Sequence, residues 1–184
     1  MDELVLLARE QMEKSVESLK GSLATVRTGR ASAALLDGVM VDYYGEPTPL
    51  NQIASVTIPE ARQLVIKPYD RNDIKNIIAA INASNLGLTP INDGALVRLN
   101  VPALTEERRR ELVKVSKKYC EEGKVAVRNV RRDAMNSLKR EEKDGDITED
   151  EQRNLEKQVQ KVTDGAAKKI DQLADEKRKE ITQG

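Results

Sequence analysis

The sequence contains no histidine and a single cysteine, Cys120. Without histidine it lacks the usual acid/base group of catalysis near neutral pH, and a lone cysteine forms neither an intramolecular disulfide nor a paired-cysteine metal site. Because no histidine can activate Cys120, we expect this thiol to pack inside the fold and not to act as a nucleophile. These absences argue against an enzyme and predict neither a metal site nor a cofactor.

Aromatic residues are also scarce, with four Tyr and no Phe or Trp. Together with 39% hydrophobic and 34% charged residues, this scarcity indicates long exposed helices and not a compact aromatic-rich globule. Tyr43, Tyr44 and Tyr69 could stack on bases, but platforms for single-stranded RNA interleave several aromatic residues. We therefore favour packing in the core or on the surface of a small domain for these three side chains.

Long apolar runs are missing as well. No segment approaches the roughly 20 apolar residues of a membrane-spanning helix. The apolar run near the N-terminus ends at Arg9, which makes it too short for a signal peptide. The sequence therefore predicts a soluble protein of the cytoplasm.

The most informative stretch that is present is residues 104–143, which contains no proline. At about 100° per residue, it predicts one long helix with two different faces. The predicted apolar arc consists of Leu112, Val115, Tyr119, Ala126 and Val130. The arc predicted to lie opposite is basic and consists of Arg110, Lys114, Lys117, Lys124, Arg128 and Arg131.

The sign of the charges on this stretch favours a ligand for the basic arc. Residues 104–143 hold 13 Lys and Arg against eight Asp and Glu, a net charge of +5, although the whole chain is formally neutral. A surface helix needs charges opposite its apolar face in any case, so a plain solvated face is the alternative. Such a face would mix its signs, and the excess of positive charge instead indicates where phosphate could bind.

Two further helices are predicted in the terminal regions of the chain. Residues 2–28 carry a heptad-like apolar seam formed by Val5, Met12, Val16, Leu19, Leu23 and Val26. After a break at residues 143–146, Thr148 and Glu151 form a capping box in which each side chain satisfies a backbone N–H. The seam of the third helix consists of Leu155, Val159, Val162, Ala166, Ile170, Leu173 and Ile181.

The apolar period changes between residues 31 and 101. Strands are predicted at residues 39–44, 53–58, 64–67 and 95–101. We expect residues 45–49 to be irregular and Pro59 to end a strand. A helix begins near Asp70, and its inward-facing residues are Ile74, Ile77, Ile78 and Ile81. Asp70 and Asp73 are interpreted as helix-start residues and not as a catalytic pair.

The predicted fold class is α+β, with an elongated three-helix bundle and an inserted small β/α/β domain. The bundle comprises residues 1–29 and 105–184, because three amphipathic helices can bury their stripes only against one another. The inserted domain comprises residues 30–104. The chain crosses between the two domains twice, and the predicted hinge at these crossings consists of Thr28, Gly29, Arg30, Pro102 and Ala103.

Several short runs occur in order along the chain. They are RTGRA at residues 27–31, LLDG at 35–38, YYG at 43–45 with PTPL at 47–50, LTEERR at 104–109, and VRNVRRD at 127–133. With these runs at these separations, the whole chain resembles the bacterial ribosome recycling factor family. A single Arg-rich helix would be a much less specific match.

The resemblance implies a fold and a function. The fold is a three-helix bundle joined by two linkers to a smaller β/α/β domain. The function is that of a translation factor which, with elongation factor G and GTP, splits the post-termination ribosome and frees its subunits, the mRNA and the deacylated tRNA. The GTP chemistry belongs to the elongation factor, since this sequence has no Walker-type phosphate loop of its own.

The resemblance also implies which residues contact ribosomal RNA of the large subunit. Arg131 is expected to be the most important contact, because it lies in the matching run at residues 127–133. The resemblance implies that Arg128, Arg132 and Arg109 are neighbouring contacts. The basic arc adds Arg110, Lys117 and Lys124, which completes the predicted RNA-binding set. Arginine suits this task because its planar fork fits phosphate and base edges, and a row of arginines can follow a backbone without reading sequence.

Alternatives remain open for some residues and for the whole chain. Arg132 could pair with Asp133 instead of RNA, and Arg27 and Arg30 either hold the hinge or touch RNA. The chain could also be a helical adaptor that pairs with another protein through open heptad seams. An adaptor would associate through those seams, whereas a recycling factor is expected to be a monomer.

Overall fold

The computed structural model describes residues 2–183. It divides into two compact units, one formed by residues 2–27 with residues 106–183 and the other by residues 28–105. None of the helices within residues 2–183 has the length and apolarity that a membrane crossing requires. The α+β fold class predicted from the sequence is confirmed.

The units are built from five α-helices and six strands in the described part of the chain. The helices are α1 (Glu3–Ala24), α2 (Leu50–Ile53), α3 (Ile74–Ala83), α4 (Glu106–Lys143) and α5 (Glu149–Gln183). The strands are β1 (Met40–Tyr43), β2 (Glu46–Pro49), β3 (Ala54–Glu60), β4 (Gln63–Pro68), β5 (Pro90–Asn92) and β6 (Val97–Asn100). Helices α1, α4 and α5 form the first unit, and all other elements belong to the second.

Side-chain caps fix where two helices of the bundle begin. The Asp2 carboxylate accepts a hydrogen bond from the backbone N–H of Leu4 at 2.8 Å and so caps α1. Thr148 caps α5, as predicted, because its hydroxyl oxygen accepts from the N–H of Glu151 at 3.1 Å. The Glu151 carboxylate accepts from the Thr148 hydroxyl at 3.3 Å instead of from the predicted backbone N–H.

The core of the bundle runs along the three helices in two clusters. One cluster contains Met12, Val16, Leu19, Leu23, Cys120, Val127 and Ile170. The other contains Val5, Ala8, Ala134, Leu138 and Val159. The predicted seam of α1 and the packing role of Cys120 are confirmed. Because the seam is buried within its own chain, the open interface that an adaptor needs is occupied.

The buried face of α4 differs from the predicted one. Its buried residues are Leu112, Ser116, Cys120, Gly123, Val127, Ala134 and Leu138. By contrast, Val115 is 38% exposed. The core face is rotated by roughly 70° from the predicted apolar arc, counting 100° per residue. Small residues explain the error, because Gly123 carries no hydrophobic signal yet lies so close to α1 that a Cβ there would be 3.3 Å from Leu19 Cδ2.

The second unit contains a two-stranded and a four-stranded antiparallel sheet. Strands β1 and β2 form a hairpin in which Tyr43 lies opposite Glu46. The larger sheet has the order β3-β4-β6-β5. Its core includes Leu64, Ile66, Ile77, Ile81, Val97 and Leu99. The predicted inward positions Ile74, Ile77 and Ile81 of α3 are confirmed, and Ile78 is partly buried against the same core.

Two predictions about proline in this unit are wrong. Residues 46–49 form strand β2, in which Pro47 lies opposite Asp42 and Pro49 opposite Met40. These alternate positions need not donate to β1, so proline is tolerated there. Pro59 does not end β3, because the register shifts between Thr57 and Glu60 and the bulge accommodates it.

The start of the helical segment in this unit is built by aspartate. The Asp70 carboxylate accepts a hydrogen bond from the N–H of Asn72 at 3.0 Å, which caps a short 3₁₀ turn at Arg71–Asp73. Helix α3 continues from that turn at Ile74. Asp70 is therefore a helix-start residue, as the sequence predicts.

Candidate nucleic-acid interface

The basic residues of α4 lie along one flank of the helix. We call Arg110, Lys114, Lys117, Lys124, Arg128 and Arg131 the cationic flank. Because the core face is rotated, the flank lies about 100° from the centre of that face and not opposite it as predicted. It borders α5, since Lys124 contacts Asp171 and Arg131 contacts Gln160.

Arg131 is half-buried and held by α5. Its Nε donates a hydrogen bond to Oε1 of Gln160 at 2.7 Å, and Nε2 of Gln160 donates to Oδ1 of Asp164 at 2.8 Å. Within residues 2–183, no carboxylate lies within ion-pairing distance of Arg131. The guanidinium is therefore positioned by a neutral amide, and its two terminal nitrogens remain for further acceptors.

Lys124 is held by a charged partner. Its Nζ lies 2.9 Å from Oδ1 of Asp171. The hydrogen bond and the negative charge of Asp171 raise the pKa of Lys124 above its usual value. Lys124 is thus cationic at neutral pH, but Asp171 offsets much of the charge that it presents to a ligand.

Two exposed members of the flank, Arg110 and Arg128, form ion pairs along α4. Arg128 Nη1 lies 3.5 Å from Glu121 Oε1, with 64% and 62% of the side chains exposed. Arg110 Nη2 lies 3.3 Å from Glu106 Oε1, and both side chains are nearly fully exposed. Exposed pairs of this kind stabilise a helix by well under about 1 kcal/mol, so a phosphate could replace either carboxylate at little cost.

Two predicted RNA-binding residues lie outside the flank. Arg132 lies nearly opposite the core face, and its Nε is 3.6 Å from Oδ1 of Asp133, so the predicted alternative pairing is present but long. Adjacent helical residues do not face each other, which makes this pair weak. Arg109 is half-buried and lies near the start of α4, on the side of the core face.

A groove of about 460 Å³ is lined by residues of both α4 and α5. Its lining includes Lys117, Cys120 and Asp175. Burial raises the pKa of the Cys120 thiol, and the positive charge of Lys124 only partly offsets this effect. Hydrogen bonds from Arg178 and Lys179 lower the pKa of Asp175. The groove therefore holds a protonated thiol and paired charges, and no activated nucleophile.

The partners on α5 were not predicted from the sequence. Gln160, Asp164 and Asp171 lie at spacings of four and seven residues, which puts them on one stripe of α5. The sequence contains a signal that could have identified these partners. Antiparallel helices joined by a short turn pair residues that are about equally far from the turn. Arg131 lies 12 residues before the end of α4 at Lys143, and Gln160 lies 11 residues after the start of α5 at Glu149.

The predicted hinge contains one position with a clear geometric constraint. Gly29 has φ +78°, and a Cβ there would lie 3.1 Å from Leu104 Cγ. The two crossings are therefore adjacent at this point. A side chain at Gly29 would be strained in its backbone and crowded against Leu104.

The chain is anchored to the second unit just beyond both crossings. The N–H of Ala31 donates to the carbonyl of Ala61 at 2.7 Å, and the N–H of Val101 donates to the carbonyl of Arg62 at 2.8 Å. Both bonds end on the turn between β3 and β4. These two bonds hold the backbone of the second unit together at Ala31 and Val101.

The three tyrosines of the second unit, Tyr43, Tyr44 and Tyr69, are not core residues. Tyr44 is 85% exposed and Tyr69 is 73% exposed. Tyr44 lies at the tip of the β1–β2 hairpin with φ +51°, and its ring meets that of Tyr43 edge to face with centroids 4.6 Å apart. Tyr44 and Tyr69 therefore lie on the surface of the second unit, which the prediction of core or surface packing allows.

The whole chain is similar in sequence to known proteins. The sequence model of the family described as "Ribosome recycling factor" matches residues 19–182. The ribosome-recycling factor of Lactobacillus helveticus (strain DPC 4571) is 62% identical over 183 residues, which cover 100% of this chain and 99% of the relative. That of Geobacillus kaustophilus (strain HTA426) is 56% identical over 179 residues, which cover 97% of each chain.

Two solved structures are similar to this fold. A solution structure of the ribosome recycling factor superimposes with a TM-score of 0.79 at 41% identity and covers 100% of both chains. A second structure gives a TM-score of 0.66 at 49% identity and covers 97% of both chains. It is described as models for the T. thermophilus ribosome recycling factor and the E. coli elongation factor G bound to the E. coli post-termination complex.

Proposed function

This chain belongs to the ribosome recycling factor family, and on that premise we propose that it disassembles the post-termination ribosome in the cytoplasm. Elongation factor G and GTP drive the step, and it releases the subunits, the mRNA and the deacylated tRNA. The chain itself performs no covalent chemistry. Its contribution is to bind the ribosome with one unit while the other is displaced by the elongation factor.

The observation that carries this proposal is the cationic flank of α4, with Arg131 at its centre. The flank presents several cations along one side of a helix of 38 residues. Phosphates of ribosomal RNA are the matching ligand, because a row of cations follows an RNA backbone without reading its sequence. Large-subunit RNA therefore binds along this side of the bundle, with Arg128 and Lys117 flanking Arg131.

The two remaining arginines of the predicted set extend this surface. Arg132 is 65% exposed and lies beside the flank, so it contacts RNA that wraps toward the outer face of α4. Arg109 lies at the start of α4 and marks the end of the surface near the crossings. Their contributions are smaller than that of Arg131, because Arg132 is less restrained and Arg109 lies on the side of the core face.

The crossings supply the movement that this function requires. Residues 28–30 and 102–103 act as the hinge, and the bonds of Ala31 and Val101 make the second unit move as one body. Displacement of that unit by elongation factor G strains the contacts between the bundle and the ribosome. The strain is released when the subunits separate.

Light scattering of post-termination ribosomes tests the proposal. The parent protein with elongation factor G and GTP should lower the scattering as the subunits part, and Arg131→Ala should slow this fall by at least tenfold. Arg140→Ala is the matched control, because it removes an equal charge from an exposed site on a different side of α4. Equal splitting by the parent and Arg131→Ala would refute the site, and no splitting by the parent would refute the function.

A further inference from the structure

We infer that Gln160, oriented by Asp164, is a positioning residue that holds the Arg131 guanidinium ready for phosphate. The inference rests on the proposed function and assigns a role to α5 in the RNA contact. The evidence is a relay of two hydrogen bonds, from Arg131 Nε to Gln160 Oε1 at 2.7 Å and from Gln160 Nε2 to Asp164 Oδ1 at 2.8 Å.

The chemistry of the relay fixes which way the amide of Gln160 points. The ionised carboxylate of Asp164 can only accept hydrogen bonds, so it must face the amide NH₂ group. The amide oxygen is then turned toward α4, where it meets the Nε–H of Arg131. Asp164 therefore acts on Arg131 through Gln160 and does not need to touch it.

A neutral partner orients Arg131 without cancelling its charge. Elsewhere in the cationic flank the partners are carboxylates, since Asp171 pairs with Lys124 and Glu121 pairs with Arg128. A carboxylate competes with phosphate for the same cation, whereas an amide does not. Of these three side chains, Arg131 thus presents the most available charge in the most restrained geometry.

Restraint matters because a free arginine loses rotamer freedom when it binds. Ordering such a side chain typically weakens binding by roughly three- to tenfold, and a side chain already held in place avoids much of this loss. Half-burial of Arg131 and the Nε bond both limit its rotamers. The terminal nitrogens stay available for the two-point contact that arginine makes with phosphate.

The same helix offers a matched control for the relay. Gln152 Nε2 donates to Glu156 Oε1 at 3.0 Å, which reproduces the amide-to-carboxylate bond over four residues of α5. Gln152 is also half-buried, but within residues 2–183 it accepts no hydrogen bond from an arginine. Gln152→Ala therefore removes only a hydrogen bond within α5, the one to Glu156. Gln160→Ala removes the equivalent bond to Asp164 and also the contact with Arg131.

The test is equilibrium binding of the full-length protein to purified ribosomes across a salt series. Gln160→Ala should bind three- to tenfold more weakly than the parent with an unchanged slope of log affinity against log salt, because the charge of Arg131 remains. Arg131→Ala should bind more weakly still, with a slope smaller by about one. The double variant should match Arg131→Ala, and Gln152→Ala should match the parent.

A second variant keeps the test decisive if Gln160→Ala is poorly folded in circular dichroism. Gln160→Glu retains an acceptor for Arg131 Nε but adds a competing carboxylate, so its salt slope should fall toward that of Arg131→Ala. A parental slope and affinity for Gln160→Glu would overturn the inference. Additive losses of affinity in the double variant would also overturn it. The same holds for a loss of affinity in Gln152→Ala that equals the loss in Gln160→Ala.

These outcomes separate the inference from the proposed function. Weak binding by Arg131→Ala with parental binding by Gln160→Ala would remove the positioning role and leave the RNA site intact. Parental binding by Arg131→Ala would overturn both the site and the positioning role. Failure of the parent to bind ribosomes would overturn the proposed function and the inference together.

Discussion

The two units of this protein bury different kinds of core. In the bundle, α4 contributes Ser116, Gly123 and Ala134 to the buried face, and long stretches of each helix stay exposed. In the inserted unit, Leu64, Ile66, Ile77, Val97 and Leu99 are all 0% exposed. Residues 104–143 carry a net charge of +5, whereas residues 30–103 carry −1.

This difference suggests a division of labour. The small buried residues of α4 let the helices of the bundle pack closely, and the rest of the surface of α4 is free to present the cationic flank. The inserted unit has a dense aliphatic core and less charge. Near its two ends, the N–H groups of Ala31 and Val101 both donate to the turn between β3 and β4. The proposed function assigns the contact with a polyanion to the first unit and movement as one body to the second.

Equal truncations in the two cores should give the largest effects on stability. Ile77→Ala in the inserted unit and Ile170→Ala in the bundle each remove a fully buried side chain, so each should cost about 2–5 kcal/mol of unfolding free energy. Urea unfolding measures the loss, and hydrogen exchange shows where it falls. If Ile77→Ala accelerated exchange equally in both units, the description of two separate cores would be wrong.

Glycines of the bundle test the corrected face of α4. Gly123→Leu should destabilise the bundle by about 1–3 kcal/mol, because its side chain would collide with Leu19. Gly165→Ala, at an open position of α5, should instead stabilise it by about 0.5–1 kcal/mol through helix propensity. A neutral Gly123→Leu in thermal unfolding would mean that α1 and α4 do not pack as closely as described.

Substitution of Gly29 tests whether the close approach of the two crossings matters for stability and ribosome splitting. Gly29→Ala and Gly38→Ala both place a Cβ on a left-handed backbone, with φ +78° and +82°, which costs about 1–2 kcal/mol. Only Gly29 also meets Leu104, so its alanine variant should lose more stability and should slow ribosome splitting, while Gly38→Ala splits normally. Identical behaviour of the two variants would remove the special role of Gly29.

The hairpin tip should give the smallest effect. Tyr44 has φ +51° and precedes Gly45, and asparagine tolerates this turn geometry better than tyrosine does. Tyr44→Asn should therefore stabilise the inserted unit by about 0.5 kcal/mol. Tyr69→Asn changes another exposed tyrosine without a positive φ and serves as the control in the same denaturation experiment. A loss of stability in Tyr44→Asn would show that its contact with Tyr43 outweighs the strain.

Much of the fold could be predicted because local signals and packing agree. The seam of α1, the Thr148 cap and the Ile positions of α3 follow from periodicity and side-chain chemistry, and the structure bears them out. The family resemblance, based on six short runs, is also confirmed. These features depend on residues that are close in sequence.

The errors arise where a distant neighbour decides the outcome. The face of α4 is set by Leu19 packing against Gly123, and hydrophobicity marks neither Gly123 nor Ser116 as core. Strand β2 accommodates two prolines because its register against β1 places both at positions where no N–H has to donate to β1. Arg131 could be singled out from its run, but its holder Gln160 is 29 residues away and becomes visible only when α4 and α5 pack.

The most direct test of the division of labour is ribosome binding by two charge-reversal variants of the full-length protein across a salt series. Arg128→Glu lies on the cationic flank and Lys75→Glu on the exposed face of α3. The account predicts that Arg128→Glu binds at least tenfold more weakly with a smaller salt slope, whereas Lys75→Glu keeps the affinity and slope of the parent. An equal or greater loss for Lys75→Glu would contradict the claim that the bundle makes the electrostatic contact.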